Sequence, residues 1–565
     1  MLRAPIVPRL LTLAGLLLSL AAAPAGAATF TLINLDSAGE GFNDPTPVAP
    51  VGGNTGTTLG QQRFQVFQTA FAIWGALLPS SVNIRVEARF DPLTPCDATS
   101  GVLGSAGAIS VVSDFGGAPV ANTWYPIALG NKLVGSDLAP TTNDITARFN
   151  SSVDDGVCLG ASDWYYGLDH EEGADQDLLA VVLHELGHGL GFQTFASTST
   201  GQWLNSRPDI FARHLFDNTA AKHWDEMNNV GRKNSATNTG NLVWDGPAVT
   251  AAAPYYLGPD AFVRIDTPPA IAGFKEFGTA EFGPTPGVPE LQGNVVLVDD
   301  GAGTTSDACE TILNTGQVAG SIALIDRGTC SFLQKAQAAQ AAGAIAVIIG
   351  NNVTGSPPGM AGSDPTLTIP TVSITLADAT AIKGQLGVGV TATIGANLAQ
   401  LMGADTAGRP KMYTPDPLEP GSSVSHFDVS ATPNTLMEPF ISSNLTSSVD
   451  LTQQVYADIG WYADLSPVAE AAVPATRRAW NAPNPFFRST SIWFELKQSG
   501  ETRIEVFDAR GALVKQLASV RRPAGLQSVD WDGTDTLGRR VAPGVYFWSV
   551  RSGKERITGR MVRID

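Results

Sequence analysis

Residues His184 to Thr194 read HELGHGLGFQT. Two histidines four apart share one face of a helix, so His184 and His188 can offer their imidazoles to one metal ion. Glu185 falls on the adjoining face, where a carboxylate can take the proton of a water activated by that metal. A catalytic zinc needs three protein ligands and an open position. The stretch supplies two, and its last residue is a threonine, a poor zinc donor beside imidazole. Either the third ligand lies elsewhere in the chain, or this is an ordinary helix whose histidines face solvent.

The surroundings favour the metal. The run DQDLLAVVLHELGHGLGF (Asp175 to Phe192) predicts a helix opened by acidic residues, which suit its N-terminal dipole. Gly187 and Gly189 each weaken that helix by ~1 kcal/mol relative to alanine, so close backbone approach is expected there. Gly191 stands where a helix ends in a left-handed residue and turns away. Upstream, Ser37 to Gly60 is rich in Gly, Pro and Thr and reads as loops with room for one strand. Phe64, Phe67, Phe71, Ile73, Trp74 and Leu77 then recur at helical spacing. Val82, Ile84, Val86 and Ala88 alternate as a half-buried strand, and DITARFN (Asp144 to Asn150) suggests another.

Outward from this core the texture changes twice. From Phe262 to Ile394, NVVLVDDG, SIALIDRG and AIAVIIGNN are short apolar runs ending in turn residues, as buried strands are. Between the last two, SFLQKAQAAQAAGA predicts an Ala-rich helix ending at Gly343. After the polar segment that contains His426 and Met437, a helix is expected around Leu451 to Ile459, and an Ala/Pro-rich linker follows. The remainder alternates in short strands joined by ARG, DGTD and APG turns, the pattern of a small β-sandwich.

The chain has 565 residues, 43% hydrophobic and 16% charged, which fits several globular domains rather than disorder. A formal net charge of −18 argues against nucleic acid, whose phosphates need clustered Lys and Arg. Arg3 and Arg9, the apolar run Leu10 to Ala23 and Ala25-Gly26-Ala27 compose a secretory signal peptide. No later stretch is long and apolar enough to span a bilayer, so a secreted, extracellular or surface-associated protein is expected. Cys96, Cys158, Cys309 and Cys330 allow three pairings. The sequential pairs Cys96–Cys158 and Cys309–Cys330 are favoured, because each then lies within one domain.

HELGHGLGF resembles the metzincin zinc peptidases, whose motif turns at the glycine corresponding to Gly191 towards a third histidine. The departure at Thr194 resembles the leishmanolysin branch, which interposes a long insertion before its third histidine and methionine turn. The resemblance implies Zn2+ held by His184, His188 and His426, with Glu185 as general base and Met437 as the methionine beneath the metal. It also assigns DITARFN to the edge strand that would take substrate by strand addition. A gluzincin would use a later glutamate instead, and Glu226 is the local candidate. His214 and His223 read as packing or solvent residues, and His170 lies in an acidic loop. A structural Ca2+ ion is admitted, with no residues assigned to it.

GSIALIDRGTCSFLQKAQAAQAAGAIAVIIGNN resembles the protease-associated domain, and WDGTDTLGRRVAPGVYFW the FlgD-like immunoglobulin fold and the C-terminal sorting modules of secreted bacterial proteins. The expected whole is multidomain α+β. It comprises a signal peptide (1–27) and a metzincin-like peptidase domain (28–261 and 395–465) split by the protease-associated insert (262–394). A linker (466–480) and a C-terminal sandwich (481–565) complete it. The function expected is a secreted zinc endopeptidase acting on protein or peptide substrates, with surface or secretion-machinery contact through the C-terminal domain. The rival is a catalytically degenerate surface binding protein, to which Glu185 would bring nothing.

Overall fold

The structure, a computed structural model, describes residues 27–462 and 479–563 apart from 281, 285, 287–289, 363, 365, 443–444, 483–489, 497–499, 509–510, 523–524, 543 and 554. The expected signal peptide, apart from its last residue, and most of the expected linker lie outside the described residues.

The first domain is built on a four-stranded sheet. Strands β1 (Phe30–Asn34), β2 (Ile84–Asp91), β3 (Gly104–Ala108) and β4 (Ile145–Asn150) lie in the order β1-β2-β4-β3. The first three neighbours run parallel, and β3 joins β4 antiparallel. DITARFN is therefore an interior strand, and the expected edge assignment is corrected. The edge is β3, whose sequence GSAGA carries too little branched side chain to announce a strand. Ser37 to Gly60 holds a short 3-10 turn at Gly41–Asn43 among its loops.

Helix α1 (Leu59–Leu77) and helix α2 (Leu178–Leu190) pack on this sheet. Phe67, Phe71, Ile73 and Trp74 are buried as their spacing predicts, whereas Phe64 is 46% exposed. Trp74 donates to the Leu183 carbonyl at 3.2 Å, tying the two helices through a buried indole.

One hydrophobic core draws on both flanks of the insert, from Ala28 to Leu257 and from Ala404 to Trp461. The insert has two cores of its own, within residues 263–394 and 282–369, on opposite faces of a single sheet. That eight-stranded sheet holds, in spatial order, β5 (Pro259–Thr267), β10 (Thr391–Leu401), β6 (Leu291–Leu297), β7 (Ile322–Asp326), β8 (Ala346–Gly350) and β9 (Thr371–Ile374), with the short strands Gly273–Lys275 beside β5 and Phe277–Thr279 beside β9 at its two edges. β6, β7 and β8 are the three apolar runs of the sequence. They pair in parallel, and helix α3 (Phe332–Ala341) follows β7 behind a Ser331 capping box. β5 and β10 pair antiparallel, with Pro259 opposite Leu401. Entry and exit of the insert are therefore adjacent, the condition under which insertion into a host domain costs little. The sheet starts before Phe262 and ends after Ile394.

Helix α4 (Thr452–Ile459) returns the chain to the first core. At the C-terminus, a three-stranded sheet (Ala479–Ala482, Thr490–Leu496, Gly525–Trp531) and a four-stranded one enclose Ile492, Phe494, Val506, Trp531 and Trp548. Disulfides join Cys96 to Cys158 and Cys309 to Cys330.

Candidate metal centre

Asp177 caps α2, accepting from Leu179 N at 2.8 Å and Ala180 N at 3.3 Å. One turn separates His184 from His188 along the buried face that follows. The helix stops at Gly191, whose φ of 129° a side chain would resist, and Phe192 N closes the turn on the Gly187 carbonyl at 3.1 Å. His426 arrives from a separate segment, 242 residues beyond His184 in sequence. Phe427 N donates to the Met437 carbonyl at 2.8 Å, which ties the His426 segment to the Met437 segment.

The three Nε2 atoms converge. His184 and His188 stand 3.1 Å apart, and each stands 3.2 Å from His426. Every Nδ1 is directed at a main-chain carbonyl: Leu436 at 2.7 Å, Phe192 at 2.8 Å and Ser422 at 2.7 Å respectively. A carbonyl can only accept, so each Nδ1 carries its proton and each Nε2 presents a lone pair. Burial holds all three rings neutral: His184 is lowered to about 4, His188 to about 3, and His426 well below the ordinary value. Three buried lone pairs facing one another without a proton repel, unless a cation sits among them.

The donor set fits zinc. Imidazole nitrogens on a tetrahedral Zn2+ at ~2.0–2.1 Å stand ~3.3 Å apart, close to the separations here. The carbonyls are the outer partners that fix a ligating imidazole's tautomer. Glu185 Oε2 is buried with no hydrogen-bond partner beside the cluster, and burial raises this carboxyl to about 8 against the opposing Ala106 N–H. A nearby dication would draw that value back down.

The glycines have identifiable tasks. A Cβ on Gly187 would stand 2.7 Å from Met437 Sδ, and one on Gly189 would collide with Ile145 of β4. A Cβ on Gly104 of β3 would meet Glu185 Oε1 at 2.8 Å, so the edge strand lies directly beside the carboxylate. Met437 is fully buried.

The alternative ligands are engaged elsewhere. Thr194 Oγ1 donates to Asp209 at 2.9 Å. Glu226 accepts from His223 N in a capping box, and His223 itself pairs with Asp245 at 2.8 Å. His214 stacks on Trp244. His170 bridges Asp177 and Ser447. None of these belongs to the three-histidine cluster. Sequence reasoning missed three groups: Ala106 and the β3 edge, Asp450, which accepts from Leu436 N at 2.5 Å, and the His170 bridge. Only His170 left a trace in the sequence, as an acidic-loop histidine.

Residues 245–382 match the PA domain family, and residues 486–555 the FlgD Ig-like domain family. Neither match reaches the histidine cluster. A PRADC1-like protein of Drosophila melanogaster is 44% identical over 75 residues, 13% of this chain and 33% of that protein. An aminopeptidase from Aneurinibacillus sp. strain AM-1 is 26% identical, over 25% of this chain and 31% of that one, with a TM-score of 0.19. BSAP, a zinc aminopeptidase from Bacillus subtilis, is 24% identical over 33% of this chain and 41% of that one, with a TM-score of 0.18. The chain thus spans about a third of the length of the curated relative it matches.

Proposed function

We propose that the protein is a zinc-dependent endopeptidase of metzincin type, with His184, His188 and His426 as ligands and a catalytic domain interrupted by the PA domain. The observation that carries this reading is the convergence of three imidazole lone pairs within 3.1–3.2 Å, each tautomer fixed by a carbonyl.

Bound there, zinc supplies Lewis acidity: it polarises a carbonyl and acidifies water. The chain's own residues do the rest. Glu185 Oε2, buried and unpartnered, takes a proton and later returns it to the leaving amine. The Ala106 N–H holds the carboxylate in place. β3 offers an open sheet edge alongside, so an extended peptide can add as a further strand and present its backbone to Glu185. Such main-chain binding suits an internal stretch of polypeptide. Export is part of the proposal: two disulfides support an oxidising compartment. Among the described residues no helix is long and apolar enough to cross a membrane. The C-terminal sandwich is proposed as a surface or secretion-machinery contact.

Casein hydrolysis by the purified full chain, with zinc counted by elemental analysis, tests the reading. Glu185→Gln removes the base and leaves the imidazoles, so zinc should stay stoichiometric while activity falls by ~10²-fold or more. Wild-type activity in a zinc-loaded Glu185→Gln protein would reject Glu185 as the base. A zinc-loaded wild type inert towards every protein tried would favour the degenerate binding protein.

A further inference from the structure

A second group of acidic side chains, far from the histidines in sequence, lies within the insert. Asp300, Asp307 and Glu310 occupy the loop after β6, at the carboxyl ends of the parallel strands, where ligands of such sheets bind. One carboxylate oxygen from each lies within 4.8 Å of the others. Asp300 is 5% exposed and Asp307 2%, with Glu310 at the solvent side. Two buried carboxylates this close repel unless a cation or a proton is shared between them.

Their hydrogen bonding leaves one oxygen over. Asp307 accepts from Cys309 N at 3.1 Å and from the Thr329 hydroxyl at 2.7 Å. Asp300 Oδ1 accepts from Ala302 N at 3.4 Å, while Asp300 Oδ2 is buried with no partner. Lys335, the fully buried cation nearby, donates to the Asp307 carbonyl and the Cys309 sulfur rather than to a carboxylate. The loop is shaped around the group. Asp300 N bonds Thr305 O at 2.9 Å and Asp307 N bonds Thr304 O at 3.0 Å, with Gly301 and Gly303 at positive φ between them. The Cys309–Cys330 disulfide fixes its far end.

We infer that Asp300, Asp307 and Glu310 form a calcium site that pins this loop to the insert's sheet. The donors are all hard oxygens, which select Ca2+ or Mg2+ over the zinc expected at the imidazoles. An irregular loop, completed by carbonyls and water, suits the flexible coordination of Ca2+ better than the octahedron Mg2+ demands. The orphaned Asp300 Oδ2 is the ligand atom that would otherwise lie buried without a hydrogen-bond partner.

Calorimetric titration of the zinc-loaded full chain with CaCl2, and separately with MgCl2, tests the assignment. One Ca2+ should bind with a Kd of ~10⁻⁴–10⁻³ M, the range of extracellular modules, and Mg2+ at least about tenfold more weakly. Asp300→Asn keeps the side chain's shape, and Glu310→Gln changes an exposed residue without threatening the fold. Each should weaken calcium by about tenfold or more and leave the zinc content at wild type. Asp364→Asn, on the same domain but outside the loop, should bind calcium normally. Absence of calcium heat at millimolar concentration, or binding unchanged in Asp300→Asn and Glu310→Gln, would overturn the assignment and leave Lys335 as the sole compensating charge.

Discussion

His170 joins two parts of the molecule that the proposed metal centre needs in register. Its Nδ1 meets Asp177, the cap of α2, and its Nε2 lies 2.8 Å from the buried hydroxyl of Ser447, beyond Met437. The residue sits at φ 57°, in the left-handed region that histidine enters more readily than most non-glycine residues. Burial opposes the imidazolium, but the Asp177 hydrogen bond and charge, with Glu172 and Asp169 behind them, raise its pKa above the ordinary value. A raised folded pKa adds stability that is complete below the unfolded value and fades as pH climbs through the folded one. The stability difference between wild type and His170→Gln, from urea unfolding across pH 5 to 9, should therefore be largest at the acid end and shrink with rising pH. A difference that is flat, or that grows towards alkaline pH, would refute the imidazolium bridge.

At the scale of elements, α2 was legible because its motif, its acidic start and its terminal glycine all pointed one way. The structure then supplies the reasons for its glycines: Gly187 faces the sulfur of Met437, and Gly189 faces Ile145. The buried strands of the insert were legible for a similar reason, since runs such as SIALIDRG are apolar throughout and end in turns. β3 was not legible. GSAGA has no branched or aromatic residue, and its strand character comes from pairing with β4 and from contact with α2, which no local pattern records. The smallness that hid it is what lets it lie against Glu185. Gly104→Ala should push Glu185 Oε1 aside and lower kcat by ~10–100-fold with zinc content unchanged. Wild-type kcat in that variant would show that β3 does not set the carboxylate's position. The pairing of His426 with the α2 histidines was legible only through the family resemblance, with its long insertion and following methionine, because a ligand 242 residues away leaves no spacing to recognise.

At the scale of the whole molecule, the insert separates the two contributions to the proposed metal centre while its ends meet. Gly258 and Met402 flank it and are joined by a main-chain hydrogen bond of 2.9 Å. Replacing residues 259–401 with a short glycine linker should thus leave the first core intact, with zinc retained and small-peptide hydrolysis largely preserved. Loss of zinc in a folded excision variant would make the insert part of the centre. In the proposed centre the third ligand comes from beyond the insert and not from the end of the HELGHGLGFQT run. The most direct measurement is zinc content by elemental analysis of purified His426→Ala beside Thr194→Ala and His214→Ala. Most of the metal should be lost from His426→Ala, with about one zinc per chain kept in the other two. Stoichiometric zinc in His426→Ala, with loss in either of the others, would contradict it.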